Sequence, residues 1–367
     1  MPINKPPQSE IDSVIALFSS GQLQEAIDEV KTLTSNFPDN ALLQNIMGAC
    51  YAGLGQLGSA VNSYDRAIAI KPDYAKAHYN LGGAHHELRQ YDESIKSYER
   101  SLKIDSDYAE AHNNLGNVFK ESGRLDEAIN SYEKALDLKP DYVEAHYSFG
   151  VTLQELGQLN EAVKSYQKAL EINPKFSEAY NNLGNAFKDL GQLNEAVKSY
   201  QKALEINPDY PALHNNLGNA YKELGQLNDA LKSYLKGLTY NPDYIDLLNN
   251  LGIVFNELGQ LDEAIKSYER AIVVKPDYAD AYNNLGNVFK DFNKLEDALK
   301  SYKKAIQINP KLSEAYNNLG NVLKDLDQLD DAVKSFEKAL EINPNFAEAH
   351  NNFGNVFADL NQLNDAV

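Results

Sequence analysis

The 367 residues include one cysteine, Cys50, and no tryptophan. A lone cysteine excludes an intrachain disulfide and leaves the redox compartment open. Basic residues are scarce beside acidic ones, 34 against 53, for a formal charge of −19. Nucleic-acid binding rests on phosphate neutralisation by Lys and Arg, so nucleic acid is excluded as a partner. An anionic membrane surface is disfavoured for the same reason. No apolar run is long enough to cross a bilayer. The N-terminal stretch MPINKPPQSEID lacks the apolar centre of a signal peptide. A soluble, cytoplasmic chain is expected. Catalytic patterns are also missing. The glycines are isolated by helix, so no phosphate-cradling loop is present. No serine or cysteine has a nucleophile context. His85 and His86 are adjacent, but no cysteine or carboxylate set completes a metal site. Neither enzyme activity nor a cofactor is expected.

What the chain does have is a strict period. Pro38, Pro72, Pro140, Pro174, Pro208, Pro242, Pro276, Pro310 and Pro344 recur in steps of 34 residues, with Ser106 at the one missing step. A period of this length predicts a stacked array in which each unit buries its apolar face against its neighbours. Residues 1–6 are a leader, and 7–40 are a degenerate first unit suited to capping. Nine full units fill 41–346, and 347–367 begin another that stops at Val367, a few residues into its second helix. Three readings of that end stand open: more repeats or a catalytic domain beyond it, end-to-end docking of copies into a filament, or a frayed half-unit. The stretch LGQLNEAVKSYQKALEINP occurs unchanged at 156–174 and 190–208, which points to recent duplication.

Within residues 177–210, apolar residues at Ala179, Tyr180, Leu183, Ala186, Phe187 and Leu190 mark one helix face. Leu193, Ala196, Val197, Tyr200, Ala203 and Leu204 mark a second. Gly191 turns between them and Pro208 ends the second helix. Asp209 is expected to cap the next one. The turn position holds glycine at Gly55, Gly123, Gly157, Gly191, Gly225 and Gly259, and Asn293, Asp327 or Asn361 elsewhere. Arg89 departs from this set, predicting mild strain or a shifted turn. A second glycine recurs in mid-helix from Gly48 to Gly354. Its cost of about 0.5–1 kcal/mol predicts a close approach of two helix backbones, with Ala196 and Ala203 as small partners. Five histidines (His78, His112, His146, His214 and His350) share the repeat position of Tyr180, where packing is expected.

The series Tyr180, Leu183, Gly184, Phe187, Ala196, Tyr200, Ala203 and Pro208 resembles the tetratricopeptide repeat signature over residues 7–367. Tyrosine or histidine stands where that family usually has tryptophan. The NNLGN first helices look most like the superhelical arm of O-linked N-acetylglucosamine transferases. The resemblance implies an all-α fold, a right-handed α-solenoid of helix-turn-helix repeats whose first helices line a concave groove. Counting each repeat from Ala41, Ala75, Ala109 and so on, positions 2, 5, 6, 9, 12 and 13 should face that groove.

Position 6 is Asn80, Asn114, Asn182, Asn216, Asn250, Asn284, Asn318 and Asn352. Position 9 adds Asn117, Asn185, Asn219, Asn287, Asn321 and Asn355. A carboxamide both donates and accepts, so a file of them suits the main chain of an extended peptide. The glycosyltransferase resemblance implies such a ladder. Solvation of the groove, or bonds between neighbouring helices, would explain the asparagines equally. Positions 2 and 13 are mostly acidic and position 12 often Lys, which predicts an acidic groove for a neutral or basic segment unless the charges pair along each helix. Position 5 is mostly Asn, so the carboxylate clamp of some family members is not supported. Tyr147, Ser148 and Val151 interrupt the ladder and are a candidate pocket for one apolar side chain; drift between units would give the same break. The function expected is a protein-interaction scaffold, with end-to-end self-association as the alternative.

Overall fold

A computed structural model describes residues 6–365. The leader residues 1–5 and the expected stop at Val367 lie outside them. The described residues form twenty-one helices and no strand. In order these are α1 (Gln8–Ser19), α2 (Leu23–Asn36), α3 (Ala41–Gly53), α4 (Leu57–Ile70), α5 (Ala75–Glu87), α6 (Tyr91–Ile104) and α7 (Ala109–Glu121). Next come α8 (Leu125–Leu138), α9 (Val143–Glu155), α10 (Leu159–Ile172), α11 (Ser177–Asp189), α12 (Leu193–Ile206), α13 (Pro211–Glu223) and α14 (Leu227–Tyr240). The last are α15 (Ile245–Glu257), α16 (Leu261–Val274), α17 (Ala279–Asp291), α18 (Leu295–Ile308), α19 (Ser313–Asp325), α20 (Leu329–Ile342) and α21 (Ala347–Asp365).

Two compact units divide the chain, one ending at Ala186 and the other beginning at Phe187. In the first, α3 pairs with α4, α5 with α6, α7 with α8 and α9 with α10. Each first helix also packs on the second helix of the preceding pair and, more lightly, on the next first helix, as α5 does on α7. The second unit repeats this with α13 and α14, α15 and α16, α17 and α18, and α19 and α20. Hairpins therefore stack in sequence within each unit, as the period predicts.

The turn glycines take a left-handed backbone, from φ +70° at Gly55 to +79° at Gly123, and Asn293 and Asp327 follow at +57° and +59°. Among the described residues, nothing lies within 4 Å of a Cβ placed on these glycines, so the dihedral and not space selects them. Arg89 is not shifted. It adopts φ +57°, and the flanking bonds Arg89 N–H to His86 O and Gln90 N–H to His85 O match those of the glycine turns. The mild strain expected of a non-glycine residue therefore sits in an unchanged turn. At the far end, α21 runs unbroken through Asn361, where a turn was expected. Asparagine costs a helix less than glycine does, so local preference permits the continuation.

Two other expectations are corrected. Asp209 does not cap α13; Tyr210 occupies the N-cap without a side-chain bond, and Pro211 follows at the first helical position. These loops are organised one step earlier, where Asn241, Asn309 and Asn343 accept from the backbone N–H two residues on, across the proline. The mid-helix glycines do not make room for alanines. A Cβ on Gly252 would lie 2.6 Å from Tyr268 Cε1, and one on Gly116 would lie 2.7 Å from Tyr132 Cε1. The aromatic ring sixteen residues on, in the second helix, occupies that space. Tyr98, Tyr132, Tyr234, Tyr268, Tyr302 and Phe336 are among the largest fully buried side chains. Burying such a ring contributes roughly 1.5–3 kcal/mol, which outweighs the glycine's helix cost.

Candidate functional site

The shared histidine position has a bonding role. Nε2–H donates to the carbonyl six residues earlier: His78 to Pro72, His146 to Pro140, His214 to Pro208 and His350 to Pro344. His112 makes the same bond to Ser106, so the loop keeps its anchor where proline is missing. Burial pushes the pKa of His112 and His214 down, against the raising effect of that bond. His85 and His86 diverge, the first toward Gln90 and the second toward Glu121.

The ladder asparagines are half-buried at positions 6 and 9, except the exposed Asn355. They bond chiefly from one repeat to the next. Asn80 Nδ2 donates to Asn45 Oδ1 at 2.9 Å, Asn284 to Asn249 at 3.1 Å and Asn352 to Asn317 at 3.0 Å. Asn250 reaches both Asn215 and Asn219, and Asn318 reaches both Asn283 and Asn287. Position 5 therefore does not line an open face: Asn45, Asn249, Asn283 and Asn317 are buried as acceptors between repeats, and Asn113 is buried beside Asn114. Where position 5 is tyrosine, the hydroxyl takes over. Asn114 donates to Tyr79 and Asn182 to Tyr147. Asn185, Asn216 and Asn321 hold the same register positions.

Position 9 is tied to the buried tyrosines. The hydroxyls of Tyr132, Tyr234 and Tyr302 donate to Oδ1 of Asn117, Asn219 and Asn287 at 2.8, 2.7 and 2.8 Å. Burial pushes all three phenols above the usual tyrosine range, which keeps them protonated as donors. Where position 9 is valine or isoleucine, position 12 carries the carboxamide. Tyr166 donates to Gln154 Oε1 at 3.0 Å past Val151. In the repeat with Ile253, position 12 is Asn256, one methylene shorter, and its buried Oδ1 has no partner. Asn256→Gln is expected to let the longer side chain meet Tyr268, raising stability by about 1 kcal/mol in urea denaturation.

The specific asparagine partners went unread at the sequence level, where bonds between neighbouring helices stood as one alternative. On this face Lys324 pairs with Asp359 of the next repeat at 3.4 Å, and His86 Nε2 meets Glu121 at 3.0 Å. The pairs along single helices, such as Lys198 with Glu195 and Lys300 with Asp297, belong to second helices. The interrupted stretch is partly filled. Tyr147 packs tilted against Phe176 with ring centroids 4.8 Å apart, and Ser148 and Val151 are half-buried.

After bonding to neighbours, several rungs keep one end in hand, while Asn114 and Asn182 are engaged at both ends. The Nδ2 groups of Asn219 and Asn287 have no acceptor among the described residues, and the Oδ1 atoms of Asn250, Asn284 and Asn318 have no donor. Among the described residues no group of three or more His, Cys, Asp or Glu converges to hold a metal, and no helix is long and apolar enough to cross a membrane.

Models of the TPR repeat match residues 48–88, 84–123, 116–157, 153–191, 184–225, 218–259, 254–291 and 286–327. Tetratricopeptide repeat models match 313–346 and 335–367. Among solved structures, MamA is 28% identical over 45% of this chain and 97% of its own, with a TM-score of 0.43. YrrB, described as a TPR protein with an unusual peptide-binding site, is 26% identical over 51% of this chain and 96% of its own, at 0.44. The APC/C hetero-tetramer Cut9–Hcn1 is similar in fold, at 13% identity over 94% of this chain and 95% of that one, with a TM-score of 0.50. No match was found among curated proteins. The helical hairpins, the turn and mid-helix glycines and the matched models agree: the chain belongs to the tetratricopeptide repeat family.

Proposed function

We propose that the face carried by the first helices binds an extended protein segment through its main chain, and that the protein is an interaction scaffold and not an enzyme. The observation that carries this is the fixed polarity of the ladder. Asn219 and Asn287 have their oxygens held by tyrosine hydroxyls, which leaves N–H donors for ligand carbonyls. Asn250, Asn284 and Asn318 have their amides held by the preceding repeat, which leaves oxygens for ligand N–H groups. A side chain already anchored at one end loses little rotamer freedom on binding. Each bond nets roughly 0.5–1.5 kcal/mol, so affinity accumulates over many rungs. Position 13 is acidic in nearly every repeat, which favours a neutral or basic segment. Recruitment of substrate to a larger enzyme is one setting for such a face; it rests on the NNLGN resemblance alone.

The test is the pair Asn219→Asp and Asn287→Asp. Aspartate keeps an oxygen for Tyr234 and Tyr302 but removes the outward donor. Uncharged extended peptides captured by the wild type are expected to bind about tenfold or more weakly, the worth of two such bonds. Equal affinity for every captured peptide, measured by fluorescence anisotropy, refutes the reading.

A further inference from the structure

The ladder has one rung missing, and an atom is left waiting at the gap. Position-5 asparagines accept from the position-6 amide of the next repeat, as Asn45 does from Asn80, Asn215 from Asn250, Asn249 from Asn284, Asn283 from Asn318 and Asn317 from Asn352. The partner of Asn113 in this register is residue 148, which is Ser148 and not asparagine. Serine is too short to deliver the amide. Asn113 Oδ1 is accordingly buried without a hydrogen-bond partner, on a residue only 4% exposed. Its own amide is already committed to Asn114 Oδ1 at 3.2 Å.

An unpaired buried acceptor costs about as much as a lost hydrogen bond, so a group that meets it gains that amount on binding. We infer that the gap at Ser148 is a specificity subsite for a side-chain carboxamide, asparagine or glutamine, of the bound segment. The inference rests on the reading of the ladder face as a peptide-binding face. The chemistry is chosen by the array itself, which places a carboxamide N–H on this oxygen in the five repeats just named. A guest carboxamide would restore the rung, its amide on Asn113 Oδ1 and its oxygen facing outward like those of its neighbours. Lysine would also donate, but a full charge brought against a buried neutral acceptor pays a larger desolvation penalty.

The walls fit a short polar guest. Ser148 is half-buried and reaches the face, while Asn113 Oδ1 beneath it is covered, so a guest must part the side chains above that oxygen. Tyr147 is held by Asn182 and packed tilted against Phe176, so it stands as a fixed side wall. Val151 replaces the position-9 amide, and so offers contact without a competing donor. The Thr152 hydroxyl donates to the Ser148 carbonyl at 2.9 Å, and the nearby Tyr132 hydroxyl donates to Asn117.

The experiment uses the whole chain and a panel of extended peptides identical except for one residue, which is Gln, Asn, Lys or Ala, moved through each place in turn. The wild type is expected to favour Gln or Asn over Ala at one place by about fivefold, the worth of one recovered hydrogen bond. Ser148→Asn supplies the missing rung from within, and is expected to abolish that preference. Asn113→Leu removes the acceptor and is expected to do the same, which guards against a folding defect peculiar to either variant. Peptides bound with no carboxamide preference, a preference for Lys, or a preference that survives both substitutions each overturn the subsite alone. Capture of no peptide of any kind overturns the ladder reading, and the subsite with it.

Discussion

Tyr302→Ala is expected to lower stability by about 3–5 kcal/mol, the range for emptying a large aromatic site in a packed core. Tyr302 is fully buried, in one cluster with Leu319, Val322 and Phe336. It also donates to Asn287, so truncation leaves that asparagine without its hydroxyl partner. A stacked array need not unfold in one step, because each hairpin is coupled only to its neighbours. The loss should therefore register both in the urea midpoint and as faster amide hydrogen exchange in α17 and α18. An unchanged midpoint together with unchanged exchange would show that the ring contributes nothing to the hairpin.

Gly286→Ala is expected to destabilise by about 1–3 kcal/mol, although alanine is the better helix former by about 0.5–1 kcal/mol. A Cβ at this place would lie 2.6 Å from Tyr302 Cε1 and 2.8 Å from its Cδ1, so ring or backbone must move. With the ring removed, the same substitution has space, and helix preference alone decides. Gly286→Ala in the Tyr302→Ala background is therefore expected to be neutral or stabilising, a reversal that a double-mutant cycle reads directly. The same sign in both backgrounds would mean that the glycine is kept for some reason other than the ring. Gly354→Ala is an internal control, because among the described residues nothing lies within 4 Å of its Cβ.

This glycine shows where sequence reading stopped short. Its cost and its recurrence predicted a close contact, and the contact exists. The partner was misread: alanines of the second helix were expected, and an aromatic ring fills the place. What resolves it is the ring's placement against the bare Cα, a matter of how two helices cross. The histidines followed a similar course. Packing was legible from their shared position, but the bond to the loop carbonyl, kept even at Ser106, depended on where the loop folds back.

The asparagine ladder was legible as a pattern and ambiguous as chemistry. Its register came from the 34-residue period, but the period does not say which end of each carboxamide is already bonded. Bonds such as Asn250 to Asn215 span 35 residues, one more than the repeat, so their partners follow from the offset at which neighbouring first helices stack. The unpaired Asn113 oxygen was invisible for the same reason: a serine at 148 looks like drift until the atom it fails to reach is known.

The hairpin period, the turns up to Asp327 and the family were legible in the linear sequence, because each depends on apolar spacing, breakers and backbone preference within a single 34-residue unit. Which tyrosine covers which glycine, which amide end faces outward and where one acceptor is left without a donor were decided only by tertiary packing. Those outcomes depend on distances between side chains of different helices, and no local preference encodes them.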